Sequence, residues 1–241
     1  MLTVSESKRL IAKGVAALQV VQQAMKEGIV VVATGTTNGY VLEELWGQKI
    51  DKRRYRSGTT TPKVPEKAPE PAGTQIPDVV FKKGRVAEEL NRFTAPAEMT
   101  SKDVYIKGAN ALDYKQKTAG VLIGGGTSGT VGAVLGNLVG KKVNLIIPVG
   151  LEKLVYEDLN QLQRLAWTDC EGPNLWPLTG AIITEIEALM ILTGVKATLL
   201  ASGGIAGAEG AVRLILEGTD AQLDAAVKLV DSVKGEPRDL L

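Results

Sequence analysis

The stretch IVVVATGTTNGYVLEELWG, residues 29–47, runs from a continuous apolar segment through a polar loop into a segment of helical composition. Because its first residues are apolar without alternation, they predict a strand that is buried on both faces, as in a parallel sheet covered by helices. The loop at residues 35–39 then lies between this strand and the start of a helix. Such a loop offers backbone N–H groups and the positive end of a helix dipole to an anion. The alternative is a plain turn, in which Thr37 or Asn38 caps the helix.

Further apolar segments with the same pattern follow this one. They are residues 104–106, 121–123 and 143–147. A helical period of apolar residues at 131–138 separates the last two. The alternation of strands and helices predicts an α/β fold, a Rossmann-like three-layer α/β/α arrangement in which all four strands lie parallel in one sheet. Ahead of them, Thr3 and Glu6 have capping-box spacing, and apolar residues recur through 11–25, which predicts one helix that ends near Gly28.

The last third of the chain has a different order of elements. We predict a strand at 174–180, a helix at 181–192, strands at 195–202 and 211–217, and a helix introduced by Thr219 and Gln222 in capping-box spacing. The two later strands are joined by the glycine-rich GGIAGAEG and should form an antiparallel hairpin. The order β-α-β-β-α predicts a ferredoxin-like α+β subdomain. We therefore divide the chain into an α/β ligand-binding domain, 1–160, and a ferredoxin-like subdomain, 161–241.

Residues 51–77 interrupt this pattern with many Lys, Arg, Thr and Pro residues. The prolines predict an extended, proline-rich excursion without regular structure. It is either a mobile surface loop or a lid or arm that reaches a neighbouring subunit, and we expect a homo-oligomer.

The composition excludes several classes of function. The net charge of +1, without a concentrated basic face, argues against nucleic acid as a partner. The absence of His and the single Cys170 argue against a metal site and a disulfide, and indicate a reducing compartment. Cys170 also lacks the usual His partner of a nucleophile, so we expect it to be buried or incidental. No apolar run approaches the ~20 residues that cross a bilayer, and no signal-peptide pattern is seen, so we expect no membrane contact and a cytoplasmic protein.

A second polar loop, in DVYIKGANALD (residues 103–113), follows the next buried strand. Lys107 and Gly108 come directly after the strand, with Asn110 and Asp113 close behind. Ligands of open parallel sheets bind at the carboxyl ends of the strands, so these polar residues are candidates for a binding site. The alternative is that Lys107 is solvated and Asn110 caps a turn.

The third loop, in VLIGGGTSGTVGAVLG, fits the dinucleotide fingerprint G-x-G-x-x-G through Gly124, Gly126 and Gly129. The fingerprint normally opens a domain, whereas this one lies deep in the chain. The following strand also has no acidic residue at its tip to hold a ribose. We therefore expect no cofactor, and a dinucleotide-binding oxidoreductase is a lesser alternative.

The three loops together resemble a superfamily that includes ribose-5-phosphate isomerase, glucosamine-6-phosphate deaminase, the coenzyme A transferases and methylthioribose-1-phosphate isomerase. ATGTTNGYVLEEL is similar to the phosphate-binding loop of its sugar-phosphate members, and KGANALD to a segment that carries catalytic acids. AGVLIGGGTSG and VNLIIPVG resemble the next loop and the strand that closes the site. The resemblance covers residues 10–150 and implies a sugar-phosphate site. Ribose-5-phosphate isomerase also has a ferredoxin-like subdomain, although it is inserted within that chain.

The chain departs from the superfamily at the catalytic positions. Asn110 stands where the isomerases have their first Asp, and an amide cannot act as a base. Asp113 fits the second Asp, while Ile123 stands where the pentose isomerase has a Lys. No Cys lies near the three loops, unlike in methylthioribose-phosphate isomerase. The resemblance therefore implies a retained pocket with altered chemistry.

We hypothesise that a small anionic, phosphorylated metabolite binds at the three loops. The anion would be held by Thr36, Thr37, Asn38 and Gly39, and Lys107 would neutralise a second negative charge of the ligand. Asn110 and Asp113 would form hydrogen bonds with hydroxyl groups of the ligand. For an isomerase-like or transferase-like reaction, Asp113 would be the base and Lys107 the electrostatic stabiliser. The remaining candidate ligand-binding residues are Gly35, Gly108, Gly124, Gly125, Gly126, Thr127 and Ser128. The alternative is a non-catalytic sensor or assembly protein with a vestigial pocket.

Overall fold

The structure is a computed structural model that describes residues 1–56, 73–168 and 171–238. Its helices are α1 Val4–Ala17, α2 Gln19–Glu27, α3 Thr36–Trp46, α4 Gly129–Gly140, α5 Leu159–Thr168, α6 Glu185–Thr193 and α7 Asp220–Ser232. Its strands are β1 Ile29–Val32, β2 Val79–Lys82, β3 Arg85–Val86, β4 Val104–Ile106, β5 Ala111–Asp113, β6 Thr118–Ile123, β7 Asn144–Pro148, β8 Asn174–Thr179, β9 Ala181–Ile183, β10 Lys196–Ser202 and β11 Val212–Glu217.

The main sheet has six strands in the order β3-β2-β1-β4-β7-β9. The last four strands in this order, from β1 to β9, are mutually parallel, whereas β2 and β3 are antiparallel additions at one side. The predicted α/β class, with a mostly parallel central sheet, is confirmed at this level. The more specific Rossmann-like description stays a prediction.

The sheet is buried on both faces, as the continuous apolar sequence of β1 predicts. Val30 and Val32 face an apolar cluster that includes Tyr40 of α3 and residues of α1 and α2. Val31 faces a second cluster, with Tyr105 and residues of α4 and of the segment 87–99. The two clusters anchor β1 and β4 at the centre of the molecule, and so fix the ends of these strands.

The predicted parallel strand at 121–123 is wrong. β6 lies instead in a separate antiparallel sheet of order β5-β6-β8. A parallel partner needs a crossover of a dozen or more residues, usually a helix, and the chain between β4 and β6 folds into a hairpin instead. In its turn, Asp113 accepts a hydrogen bond from the N–H of Gln116 at 2.9 Å, and Lys117 has a φ of 51°.

The predicted helix at 181–192 is shorter than expected. Ala181–Ile183 forms β9, parallel to β7, and α6 begins only at Glu185. Thr184 caps the helix in a capping box with Glu187, which fixes the boundary between strand and helix. The apolar run AII alone does not distinguish a strand from a helix.

The predicted hairpin of β10 and β11 is confirmed, with Lys196 opposite Glu217 and Ser202 opposite Val212. The strand at 174–180 and the Thr219 capping box are confirmed as well. Among the described residues, however, β8, β9 and the β10–β11 hairpin belong to three different sheets, so they do not form one ferredoxin-like sheet. The domain boundary at 160 stays a prediction, although one apolar cluster joins Leu10 to Leu189 across it.

The N-terminal helix is divided into α1 and α2 by Leu18, whose ψ of 128° ends the first helix. The capping box of Thr3 and Glu6 is confirmed. Gly14 allows α1 to approach α6 closely, since a Cβ on Gly14 would lie 2.7 Å from the Cα of Ala188. α1 therefore packs between the main sheet region and the C-terminal third.

A buried ion-pair cluster ties α1 and α3 to the C-terminal segment. Arg9 pairs with Glu44 and Glu236, each at 2.9 Å, and with the buried Glu43. Burial alone would raise the pKa of Glu43, but its hydrogen bonds, above all those from Arg9, lower the pKa to about 2. The cluster is structural, because its charges satisfy one another.

Candidate functional site

The carboxyl ends of β1, β4, β7 and β9 share one edge of the main sheet. The segments that follow these strands therefore meet there, as the ligand-binding loops of open parallel sheets do. We call this the carboxyl edge. The site described below is built from residues 33–38, 107–109, 149–153 and 184–185, together with Arg92.

The loop after β1 leads into the amino end of α3. Gly35 has extended backbone, and its N–H donates to the carbonyl of Tyr55 at 3.0 Å, which ties the described start of the proline-rich excursion to the loop. Residues 57–72 of the predicted excursion lie outside the described residues. The N–H groups of Thr36, Thr37 and Asn38 belong to the first helical turn and have no partner within the helix. The N–H of Gly39 donates to the carbonyl of Gly35 at 2.9 Å and so belongs to the hydrogen bonds of the helix, and a contact of Gly39 with a ligand stays a prediction.

Asn38 connects the ends of two central strands. The side chain is fully buried, and its Nδ2 donates to the carbonyls of Ala33 at 2.7 Å and Ile106 at 3.3 Å. These two acceptors fix the orientation of the amide, because only the nitrogen can donate. Oδ1 has no hydrogen-bond partner among the described residues, and it lies 3.7 Å from the position of a Cβ on Gly108. Oδ1 of Asn38 is therefore a buried acceptor that faces the loop after β4 and receives no hydrogen bond from the described residues.

Lys107 follows β4 directly. Its Nζ donates to the carbonyl of Gly108 at 3.2 Å, and its side chain lines a narrow apolar cleft with Tyr105 and Val131. Burial, and then the positive charges of Arg92 and Lys153, lower the pKa of Lys107 to about 8.

Two more cationic groups lie at the same edge, and sequence reasoning missed both. The Nζ of Lys153, after β7, donates to the carbonyl of Ala109 at 2.7 Å, and burial lowers its pKa. Arg92 donates to Thr34 at 2.6 Å and to Asp78 at 2.9 Å. No acidic side chain of the described residues forms an ion pair with Lys107 or Lys153. Glu152 and Glu185 lie near Lys153, whereas the charged groups that act on Lys107 are the cations Arg92 and Lys153.

Glu185 is the third residue that sequence reasoning missed. It follows β9, is fully buried, and accepts a hydrogen bond from the N–H of Leu151 through Oε2 at 3.0 Å. Its Oε1 has no hydrogen-bond partner among the described residues. Burial, reinforced by the charge of Glu152, raises the pKa of Glu185 to about 7. The capping-box spacing of Thr184 and Glu187 is the signal that would have placed Glu185 at the end of a strand.

Asn110 and Asp113 have roles within the β5–β6 hairpin. The N–H of Asn110 donates to Gly120 at 2.7 Å, and its Oδ1 accepts from the N–H of Leu122 at 3.1 Å. Asp113 caps the turn as described above. Neither side chain hydrogen-bonds to Lys107, so their predicted roles toward a ligand stay predictions.

The third glycine-rich loop follows β6 and therefore extends from the small sheet. Gly124, Gly125, Gly126 and Thr127 are exposed, and Ser128 is half-buried with a φ of 59°. A Cβ on any of these three glycines would meet no atom within 4 Å. Glycine is therefore not required there by close packing in the structure.

A larger groove, of about 790 Å³, lies at the opposite, amino edge of the sheet. It is lined by residues of both charges, including Glu27, Lys82 and Lys102. Its buried Asp103 is satisfied by the N–H groups of Ile29 and Thr100. Asn38 Oδ1 and Glu185 Oε1, two buried atoms without a hydrogen-bond partner in the described part of the chain, lie at the carboxyl edge, and for this reason we place the candidate site there.

The chain was compared with protein-family models, curated proteins and solved structures, and no match was found in any of the three. In the described segments, no group of three or more His, Cys, Asp or Glu side chains is arranged to hold a metal ion. None of the helices in those segments has the length and apolar character needed to cross a membrane.

Proposed function

We propose that the chain binds a small phosphorylated metabolite at the carboxyl edge, between the start of α3 and the side chains of Arg92, Lys107 and Lys153. The observation that carries the proposal is that Lys107 lies near the cations Arg92 and Lys153 at this edge, while no acidic side chain of the described residues forms an ion pair with it. Like charges in a desolvated place cost free energy, and a bound anion would remove that cost. The N–H groups at the start of α3 would add donors to the same anion.

The likeness of the loops after β1 and β4 to sugar-phosphate enzymes supports a ligand that carries hydroxyl groups as well. Oδ1 of Asn38 is a buried acceptor without a donor, and a ligand hydroxyl would supply one. The proposed ligand class is therefore a sugar phosphate or a similar hydroxylated phosphate.

Isomerase-like or transferase-like chemistry is the further part of the proposal. In such a reaction, Lys107 would stabilise the negative charge that develops on the substrate in the transition state. Asp113 was the base expected from the sequence, but Glu185 is the better candidate. It follows β9 at the carboxyl edge, its Oε1 has no hydrogen-bond partner among the described residues, and its raised pKa suits proton transfer. A sensor or assembly protein would use the same site without turnover.

The homo-oligomer and the cytoplasmic location remain expectations of the sequence.

Isothermal titration calorimetry with ribose 5-phosphate, inorganic phosphate and ribose tests the proposal. We expect the wild type to bind ribose 5-phosphate and to ignore ribose, with an affinity that falls as salt is added. Lys107→Met should weaken binding at least about tenfold, the equivalent of losing about 1.4 kcal/mol of interaction. Lys196→Met, which removes an exposed lysine of the C-terminal hairpin, is the matched control and should bind as the wild type does. Equal binding of ribose and ribose 5-phosphate, or no binding of either, would refute the proposal.

A further inference from the structure

The amine of Lys107 has neighbours that favour its neutral form. Lys107 lines a narrow apolar cleft beneath α4, and the only hydrogen bond of its Nζ to the described residues is to the carbonyl of Gly108. The charged groups that act on it are Arg92 and Lys153, which are both cationic. Apolar surroundings and nearby positive charge each disfavour an ammonium ion.

Desolvation and a cationic neighbour are the conditions under which lysine acts as a nucleophile toward carbonyl compounds. We propose that Lys107 forms a Schiff base with its ligand, and that this ligand is an aldehyde or ketone that also carries a phosphate group. The inference rests on the proposed function, because the phosphate held by Arg92 and Lys153 would position the carbonyl group beside Lys107. It adds a substrate class and a covalent step to that function.

The step is balanced without a further reactant. The neutral amine of Lys107 attacks the carbonyl carbon, and a C–N bond forms. The carbonyl oxygen leaves as water, with one hydrogen from the amine and one proton from solvent. The product is a protonated imine, whose positive charge lies next to the bound anion. A hydride reagent would reduce the imine to a stable secondary amine, which makes the step detectable.

The test uses the full chain with glycolaldehyde phosphate and sodium cyanoborohydride at neutral pH, followed by proteolysis and mass spectrometry. We expect the adduct at Lys107 to form about tenfold faster than at the exposed Lys196, because an ordinary lysine with a pKa of about 10.4 is almost entirely protonated. Glycolaldehyde, which has no phosphate, should label Lys107 more slowly. Inorganic phosphate should protect Lys107 and leave Lys196 unprotected.

Lys107→Arg separates this inference from the proposed function, since arginine keeps the charge and is not a nucleophile. The variant should still bind ribose 5-phosphate within a few-fold of the wild type, and it should lose the adduct. The Schiff base is wrong if wild-type Lys107 is labelled no faster than Lys196, or if the phosphate group of the reagent does not increase the rate of labelling. If ribose 5-phosphate still binds in that case, the anion site stands. If the wild type does not bind ribose 5-phosphate in calorimetry, the proposed function fails by that separate measurement. The protection experiment uses only the wild-type protein, so its result can be interpreted even if the Lys107→Arg variant folds poorly.

Discussion

Replacing Lys107 by Met should stabilise the free protein while it removes the anion site. In the folded protein the pKa of Lys107 is lowered from 10.5 to about 8, because burial and two cations oppose its charge. At about 1.36 kcal/mol for each pKa unit, keeping the charge in the folded state costs about 3 kcal/mol. Lys107 is half-buried, so we expect about 1–3 kcal/mol of this to appear as added stability. Met is unbranched and flexible, and it fits the apolar cleft.

The sign of the pH dependence makes this prediction specific. Below pH 8 the lysine is charged in both the folded and the unfolded state, and the full cost is present. Between pH 8 and 10.5 the unfolded state binds more protons, so the stability of the wild type rises with pH in this interval. The advantage of Lys107→Met should therefore be largest at neutral pH and fade as the pH approaches 10.5.

Urea unfolding of wild type and Lys107→Met at neutral and at alkaline pH measures this difference. Lys196→Met is the control: it loses an exposed ion pair with Glu217, and its stability should change by about 0.5 kcal/mol or less. If Lys107→Met is less stable than the wild type at neutral pH, the amine has a favourable partner in the folded protein. The description of an unpaired cation at the carboxyl edge would then be wrong.

Three further predictions test the surroundings of the site. The raised pKa of Glu185 means that the wild type loses up to about 3 kcal/mol of stability as the pH rises from 4.5 to about 7. In urea titrations Glu185→Gln should lack this loss, and a parallel pH dependence of both proteins would contradict it. Arg9→Met should cost about 3–5 kcal/mol, because it leaves the buried Glu43 without its main partner, and a loss below about 1 kcal/mol in urea would argue against that network. Gly14→Ala should destabilise by about 1–2 kcal/mol through its clash with α6, whereas Gly136→Ala, on the open face of α4, should stabilise by up to about 1 kcal/mol. Thermal melts that shift in the same direction for both glycine variants would count against the close packing of α1 on α6.

The central strands could be predicted because their sequences carry a strong physical signal. β1 and β4 are short and continuously apolar, β7 is apolar after Asn144, and each was predicted to within one or two residues. The same kind of signal failed for β6, since an apolar run indicates burial and does not say which sheet the strand joins. Gly120 contributes to that choice, because a Cβ there would lie 2.9 Å from Leu175 of the neighbouring β8.

The site could be predicted only in part, for a related reason. Lys107 and Asn38 were found because they follow predicted strands in sequence. Arg92, Lys153 and Glu185 reach the carboxyl edge through the topology: Arg92 lies beyond the β2–β3 hairpin, and Glu185 follows a strand that was taken for a helix. The periodicity of a local sequence segment does not show which distant segments come together in the fold. Conversely, Asn110 and Asp113 are close to Lys107 in sequence, and the tight hairpin uses their hydrogen bonds.

The pKa of Lys107 in the free and ligand-bound protein tests the central claim most directly. It can be measured by NMR of the lysine side chains in isotope-labelled protein, with Lys107→Arg used to assign the resonance. We predict a value of about 8 in the free protein. Saturating inorganic phosphate, which has no carbonyl group to react with the amine, should raise it, because a bound anion stabilises the ammonium form. A free-protein value near the ordinary lysine pKa of about 10.4, or a lowered value that inorganic phosphate does not change, would contradict an anion site at the carboxyl edge.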